Sequence, residues 1–158
     1  MPQVALLHMD GLNGGTVFTD VNGHTFTAAG NAVTSTGTKQ FGTASESVPG
    51  VLGYSATDNI STPDHADFRF AGIAWTIEMW INSTSGVNDS IYKTAICKRH
   101  ATLCDYEIGL VQTSRNVFFY NGTTLTDSGV APSQNAQHYL AACHDGTTLQ
   151  MWLDGTRI

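Results

Sequence analysis

Paired carboxylates can hydrolyse a glycosidic bond, so the acidic residues come first. The chain has three glutamates, Glu46, Glu78 and Glu107, and no two lie within five residues of each other. A catalytic pair on one strand, placed on one face by the two-residue period, is therefore excluded. Glu78 and Glu107 can still meet if their strands are neighbours; otherwise each is a solvent-facing strand position. The six histidines are His8, His24, His65, His100, His138 and His144, with no HxH or HxxxH spacing. No G-x-S-x-G occurs, and no Ser, His and Asp can be grouped from sequence alone. Each histidine reads as structural or exposed, and the chain as non-enzymatic.

Cys97, Cys104 and Cys143 are an odd set, which argues against a complete disulfide framework. Cys97 and Cys104 flank an expected hairpin loop and could face each other; the other reading is three free thiols. No Cys/His spacing fits a zinc centre.

The elements that must position these side chains are strands. In 158 residues only 13% are charged and 41% are hydrophobic. Thr, Ser, Asn and Gly fill the difference. Thr fits a pleated surface, and Gly and Asn fit tight turns. Short runs of alternating apolar and polar residues, bounded by Gly, Asn, Asp or Pro, predict an all-β chain. Strands are expected at 4–9, 17–20, 25–29, 32–35, 52–55, 59–62, 75–82, 91–98, 105–112, 116–120, 123–126, 138–144 and 148–153. The stretch 36–50 is expected to be irregular, and 63–68 to form one helical turn or a compact loop. In WTIEMWIN, Trp75, Ile77, Met79 and Ile81 point one way and Thr76, Glu78 and Trp80 the other. Trp80 and Trp152 are expected in the core.

Three dipeptides read as turns. Asn121-Gly122 predicts a two-residue hairpin with positive φ at both positions. Asp145-Gly146 and Asp154-Gly155 read the same way. Only Thr156, Arg157 and Ile158 follow the last turn, so a partner edge is expected to stay unpaired and the domain, residues 1–158, to be C-terminally incomplete. About a dozen strands in one domain imply two sheets packed face to face.

The net charge of −6 comes with a single basic cluster, Lys98, Arg99 and His100, which argues against nucleic-acid binding. No apolar run is long enough for membrane insertion. MPQVALLHMDG has no cationic region and no long apolar stretch, so no secretory signal is expected, and synthesis is placed in a cytoplasm. The sequons at Asn59, Asn82 and Asn121 carry little weight without a secretory route. Loops offer aromatic and amide groups for glycan or partner contacts: Tyr54, Asp58, Asn59, Asn88, Asp89, Tyr92, Tyr120 and Asn121.

The order of motifs resembles the concanavalin A-like lectin/glucanase superfamily, in its laminin-G-like branch. LLHMDG comes first, then TVFTDVNGHTFTAAGNA, KQFGTAS, NISTPDHADF, WTIEMWI and HYLAACHDGTTLQMWLDG. The likeness spans nearly the whole chain. It departs at Gln137, where the family usually has Trp before the His matched by His138, and in lacking strands beyond the last Asp-Gly turn. The resemblance implies a two-sheet antiparallel jelly-roll sandwich. It further implies structural calcium at Asp10, whose other reading is the start of a turn with Gly11. Openings of this LLHxDG style look like those of bacteriophage virion proteins and bacterial surface proteins. The implied function is a virion structural or adhesion module (tail fibre, tail-associated or capsid decoration) located in the virion. Its partners would be other virion proteins or copies of itself, and surface glycans. The alternative is a carbohydrate-binding lectin domain of a host-recognition or bacterial surface protein.

Overall fold

The computed structural model describes residues 3–48, 58–70, 73–84, 92–100 and 103–158. Within them the chain is all-β, with one short 3-10 turn at Ala66–Phe68. No helix among the described residues is long and apolar enough to cross a membrane. The chain divides into two compact units, Met1–His65 and Ala66–Ile158.

The first unit is made of three- to five-residue strands, because Gly, Asn and Asp interrupt every apolar run. β1 (Val17–Thr19), β2 (Thr25–Ala29) and β5 (Asn59–Ser61) form one antiparallel sheet in the order β1-β2-β5. β3 (Val33–Ser35) pairs with β4 (Ser45–Ser47) as a separate ribbon. β4 lies in a stretch expected to be irregular. Its sequence, Ser-Glu-Ser, has no apolar alternation, and its place comes from backbone pairing alone. The interior holds Phe18, Ala32, Ala44 and Thr34. Thr34 Oγ1 donates to the Leu12 carbonyl (2.5 Å) and accepts from the Gly15 amide (2.8 Å), tying the Gly-rich loop down to β3.

Residues 4–9 were expected to form a first strand. They join no ladder. The run is held instead by the Val21 amide donating to the Leu6 carbonyl (3.1 Å), and Met9 sits at φ 58°, a left-handed turn that ends any extended segment. The expected strand at 52–55 lies outside the described residues.

The second unit is a two-layer antiparallel sandwich. One sheet runs β10-β9-β8-β7 and contains β7 (Lys93–His100), β8 (Leu103–Leu110), β9 (Val117–Tyr120) and β10 (Leu125–Asp127). The other runs β13-β12-β11-β6 and contains β6 (Trp75–Asn82), β11 (Gln137–His144), β12 (Leu149–Leu153) and β13 (Thr156–Arg157). Alternate residues of both sheets meet in one core: Trp75 and Ile77, Tyr106, Ile108 and Leu110, Val117 and Phe119, Leu140 and Ala142, Met151 and Leu153. The alternation expected for 75–82 holds along the whole strand, whose even positions are exposed.

The three turns differ although the dipeptides look alike. Only Asp154-Gly155 is a two-residue hairpin with positive φ at both positions, 51° and 78°. Asn121-Gly122 and Asp145-Gly146 open four-residue loops, 121–124 and 145–148, that close Tyr120 on Leu125 and His144 on Leu149. The Asn121 Oδ1 accepts from the Thr123 and Thr124 amides, and the Asp145 Oδ1 from the Thr147 and Thr148 amides, at 2.8–3.0 Å. Each first residue thus uses its side chain to build the turn, and Gly122 and Gly146 alone take positive φ. The edge of β12, expected to be unpaired, is met by β13 through Trp152–Arg157 and Leu153–Thr156.

Candidate functional site

In an antiparallel ladder, directly paired residues share a face. The outer face of the β13-β12-β11-β6 sheet can therefore be read row by row. Trp80 stands opposite Tyr139. In the next row Glu78 is opposite Ala141, Ala141 opposite Trp152, and Trp152 opposite Arg157. The third row is Thr76, Cys143 and Gln150. All of these residues alternate with the core positions of their strands, so their side chains leave the sheet on the side away from the core.

Trp80 is 43% exposed, and its ring lies 5.3 Å from that of Tyr139, tilted by 53°. Trp152 is half-buried, and Glu78 and Arg157 are exposed. Both tryptophans were expected in the core. The register overturns this for each, because the core-facing Met79 and Ile81 flank Trp80, and Met151 and Leu153 flank Trp152 on the inner side. Burial, and then hydrogen bonding to Glu78, raises the Tyr139 phenol above its ordinary value. Ala141 is 8% exposed; its single methyl leaves a shallow floor between Trp80–Tyr139 and Trp152. Flat aromatic faces beside a carboxylate, a guanidinium and an amide can stack on apolar ring faces and bond to hydroxyl groups.

The opposite outer face, on β7–β9, is a closed arrangement. Phe118 points away from the core yet is 2% exposed, with the Tyr92 ring edge-on at 5.4 Å. Glu107 accepts from Thr94 Oγ1 (2.5 Å) and from Arg99 (3.1 Å). Glu78 and Glu107 thus occupy different sheets and opposite outer faces, and they form no carboxylate pair. Cys97 stands opposite Glu107 and Cys104 opposite Arg99, not opposite each other, and all three cysteines are free. Burial, and then the Glu107 charge, push the Cys104 thiol up to about 11, so it holds its proton at neutral pH.

No protein-family model matches this chain, and no curated protein or solved structure does.

The loop residues expected to contact glycans fall in both units. Tyr54, Asn88 and Asp89 lie outside the described residues. Asp58 is 5% exposed and accepts from the Asn31 amide (3.0 Å) and side chain. That is a brace between two loops with no open side for a sugar. Asn59 begins β5 beside Ala29. In the second unit Tyr92 packs on Phe118, and Tyr120 and Asn121 sit at the β9–β10 turn, where Asn121 is committed to the turn amides. Sequence reasoning chose loops because loops carry polar residues. The signal it passed over was the even-numbered set in WTIEMWIN, where Trp80 shares a face with Glu78.

Asp10 does not match a calcium shell. Its Oδ1 accepts from the Thr43 amide (2.6 Å) and hydroxyl (3.0 Å). That amide first, and then the hydroxyl, hold its carboxyl below the usual range. Ca²⁺ needs six to eight oxygen ligands. The groups around Asp10 are donors, and among the described residues it joins no set of three His, Cys, Asp or Glu ligand atoms close enough to share an ion. Asp10 clamps the 42–44 turn instead, and Gly42, at φ 68°, leaves room for its carboxylate. Elsewhere in the first unit, Asp20 accepts from His24 Nδ1 (2.9 Å) and the His24 amide (2.6 Å), and the His24 ring stands edge-on to His65 at 5.0 Å.

Proposed function

We propose that this protein is an adhesion module that holds saccharides on the outer face of the β13-β12-β11-β6 sheet. The setting is that implied by the laminin-G-like resemblance: a surface component of a bacteriophage virion, made in the host cytoplasm and assembled with other virion proteins or copies of itself. The observation that carries the reading is the placement of Trp80, Tyr139 and Trp152 on one outer face beside Glu78 and Arg157. Aromatics clustered on one outer face, unlike scattered single ones, mark interaction surfaces. Sugar rings present apolar C–H faces and a rim of hydroxyls, which match aromatic rings flanked by polar groups. The low charge of the chain fits wet, polar contacts of this kind. A lectin domain of a bacterial surface protein would use the same face, and the two settings differ in what the module is attached to.

The test is titration of bacterial surface polysaccharides against the full chain, followed by tryptophan fluorescence. A ligand seated on this face should lose about 2 kcal/mol on Trp80→Ala, roughly a thirtyfold weaker Kd. The Leu125→Ala variant, on the other sheet, should bind as wild type. Absence of binding to every surface polysaccharide, or binding unchanged by Trp80→Ala and Trp152→Ala together, ends the proposal.

A further inference from the structure

At one end of the same sheet three side chains form a hydrogen-bonded line. Ser133 Oγ lies 2.9 Å from His138 Nε2, and His138 Nδ1 lies 2.7 Å from Asp154 Oδ2. The other carboxylate oxygen, Oδ1, accepts from the Tyr139 amide at 2.9 Å. Sequence alone offered no reason to group these residues. They are brought together by the β11–β12 pairing, which sets Asp154 at the end of β12 beside the start of β11, and by the segment leading into β11. That segment is held on both sides of Ser133. Pro132 is buried, and the Asn135 amide donates to the Ser83 carbonyl at 2.9 Å.

We infer that Ser133, His138 and Asp154 act as a nucleophilic relay that cleaves carboxylic esters. The roles follow from which atom faces which. Asp154 fixes the proton on Nδ1, so Nε2 presents its lone pair to the serine hydroxyl. The His138 ring first, and then the Tyr139 amide, hold the Asp154 carboxyl below its usual range, so it stays a carboxylate and an acceptor. The Ser133 side is exposed and open to an approaching ester, while the His138 side chain is 12% exposed. The Ser133 carbonyl also lies 3.1 Å from Nε2. It accepts a hydrogen bond there only when the ring is doubly protonated, and so steadies the imidazolium formed during the reaction.

The steps balance without a cofactor. Ser133 Oγ adds to the acyl carbonyl carbon as its proton passes to Nε2. The bond from that carbon to the alcohol oxygen breaks, and Nε2 returns the proton to the departing alcohol. Water then adds to the acyl-serine by the same relay, releasing the carboxylic acid and regenerating Ser133. This activity goes beyond the adhesion reading and does not depend on it; it replaces the expectation of a non-enzymatic chain.

The experiment uses the full chain with a fluorophosphonate probe and with p-nitrophenyl acetate. Intact-mass and peptide analysis should find one phosphonyl adduct on Ser133, and none in Ser133→Ala. The labelling rate should fall in acid, because the relay works only from a neutral imidazole. Asp154→Asn should slow it at least tenfold, with its melting temperature recorded to separate a lost role from a lost fold. The exposed Ser133→Ala change should leave melting unaltered and remove acetyl-serine formation. No adduct on Ser133, acetylation confined to other residues, or a labelling rate that Asp154→Asn and pH leave unchanged would overturn the relay.

Discussion

Burial pushes the Glu46 carboxyl up from its ordinary 4.5 to about 7. Glu46 stands opposite Thr34 in the β3–β4 ribbon, where desolvation disfavours its charged form. The native state therefore holds a proton between about pH 4.5 and 7 that the unfolded chain has lost. Its contribution to stability is full below 4.5 and declines as pH rises through 7, by on the order of 3 kcal/mol. Glu46→Gln, which stays neutral, should melt like the wild type at pH 4 and higher than it at pH 8. Equal melting temperatures at pH 8 would show that the carboxylate is solvated. Other residue-scale roles were partly legible. Asp10 is a turn residue, as the neighbouring Gly11 suggested, but its partner Thr43 is thirty-three positions away and nothing local marks it. Asp58 reads as a loop acid in sequence, and only its contact with Asn31 shows that it is buried.

Elements were more legible than residues where the local pattern was strong. The β6 strand was expected at its observed boundaries because eight residues keep a strict two-residue period. The turns show what a dipeptide leaves open. Asn121-Gly122-Thr123-Thr124 and Asp145-Gly146-Thr147-Thr148 both become four-residue loops capped by the first side chain, whereas Asp154-Gly155 closes at once. The ladder register decides between the two. Close strand approach also sets a demand at Gly109 in β8, where a methyl group would run into the Lys93 carbonyl oxygen and crowd Phe118. The backbone oxygen belongs to the β7–β8 ladder, which pairs Thr94 with Gly109. Gly109→Ala should thus destabilise the second unit by about 1–3 kcal/mol, read as a lower urea midpoint with an unchanged slope. An unaltered midpoint would mean that the strands part without penalty.

At the scale of the molecule, the second unit has one core fed by both sheets, and Ile108, Val117, Leu140 and Ala142 are at or near zero exposure within it. Ile108→Ala should cost about 2–5 kcal/mol through lost burial and a residual cavity. The loss should appear in the tryptophan fluorescence transition, because Trp75, Trp80 and Trp152 all lie in this unit. An unshifted fluorescence midpoint would show that Ile108 does not hold the two sheets together. The two outer faces of this sandwich are unlike. One presents Trp80, Glu78 and Arg157; the other buries Phe118 and pairs Glu107 with Arg99. That asymmetry favours the β6 side for the proposed saccharide contact.

Composition and the two-residue period were enough, by themselves, to make this an all-β chain of short strands, because the strand propensity of Thr and the turn chemistry of Gly, Asn and Asp act locally. They also excluded a one-strand carboxylate pair. The tertiary structure alone decided which side of each strand faces the core, and so turned Trp80 and Trp152 outward. It alone brought Ser133, His138 and Asp154 into line. Both outcomes depend on register between strands distant in sequence, and a shift of one residue would reverse every face.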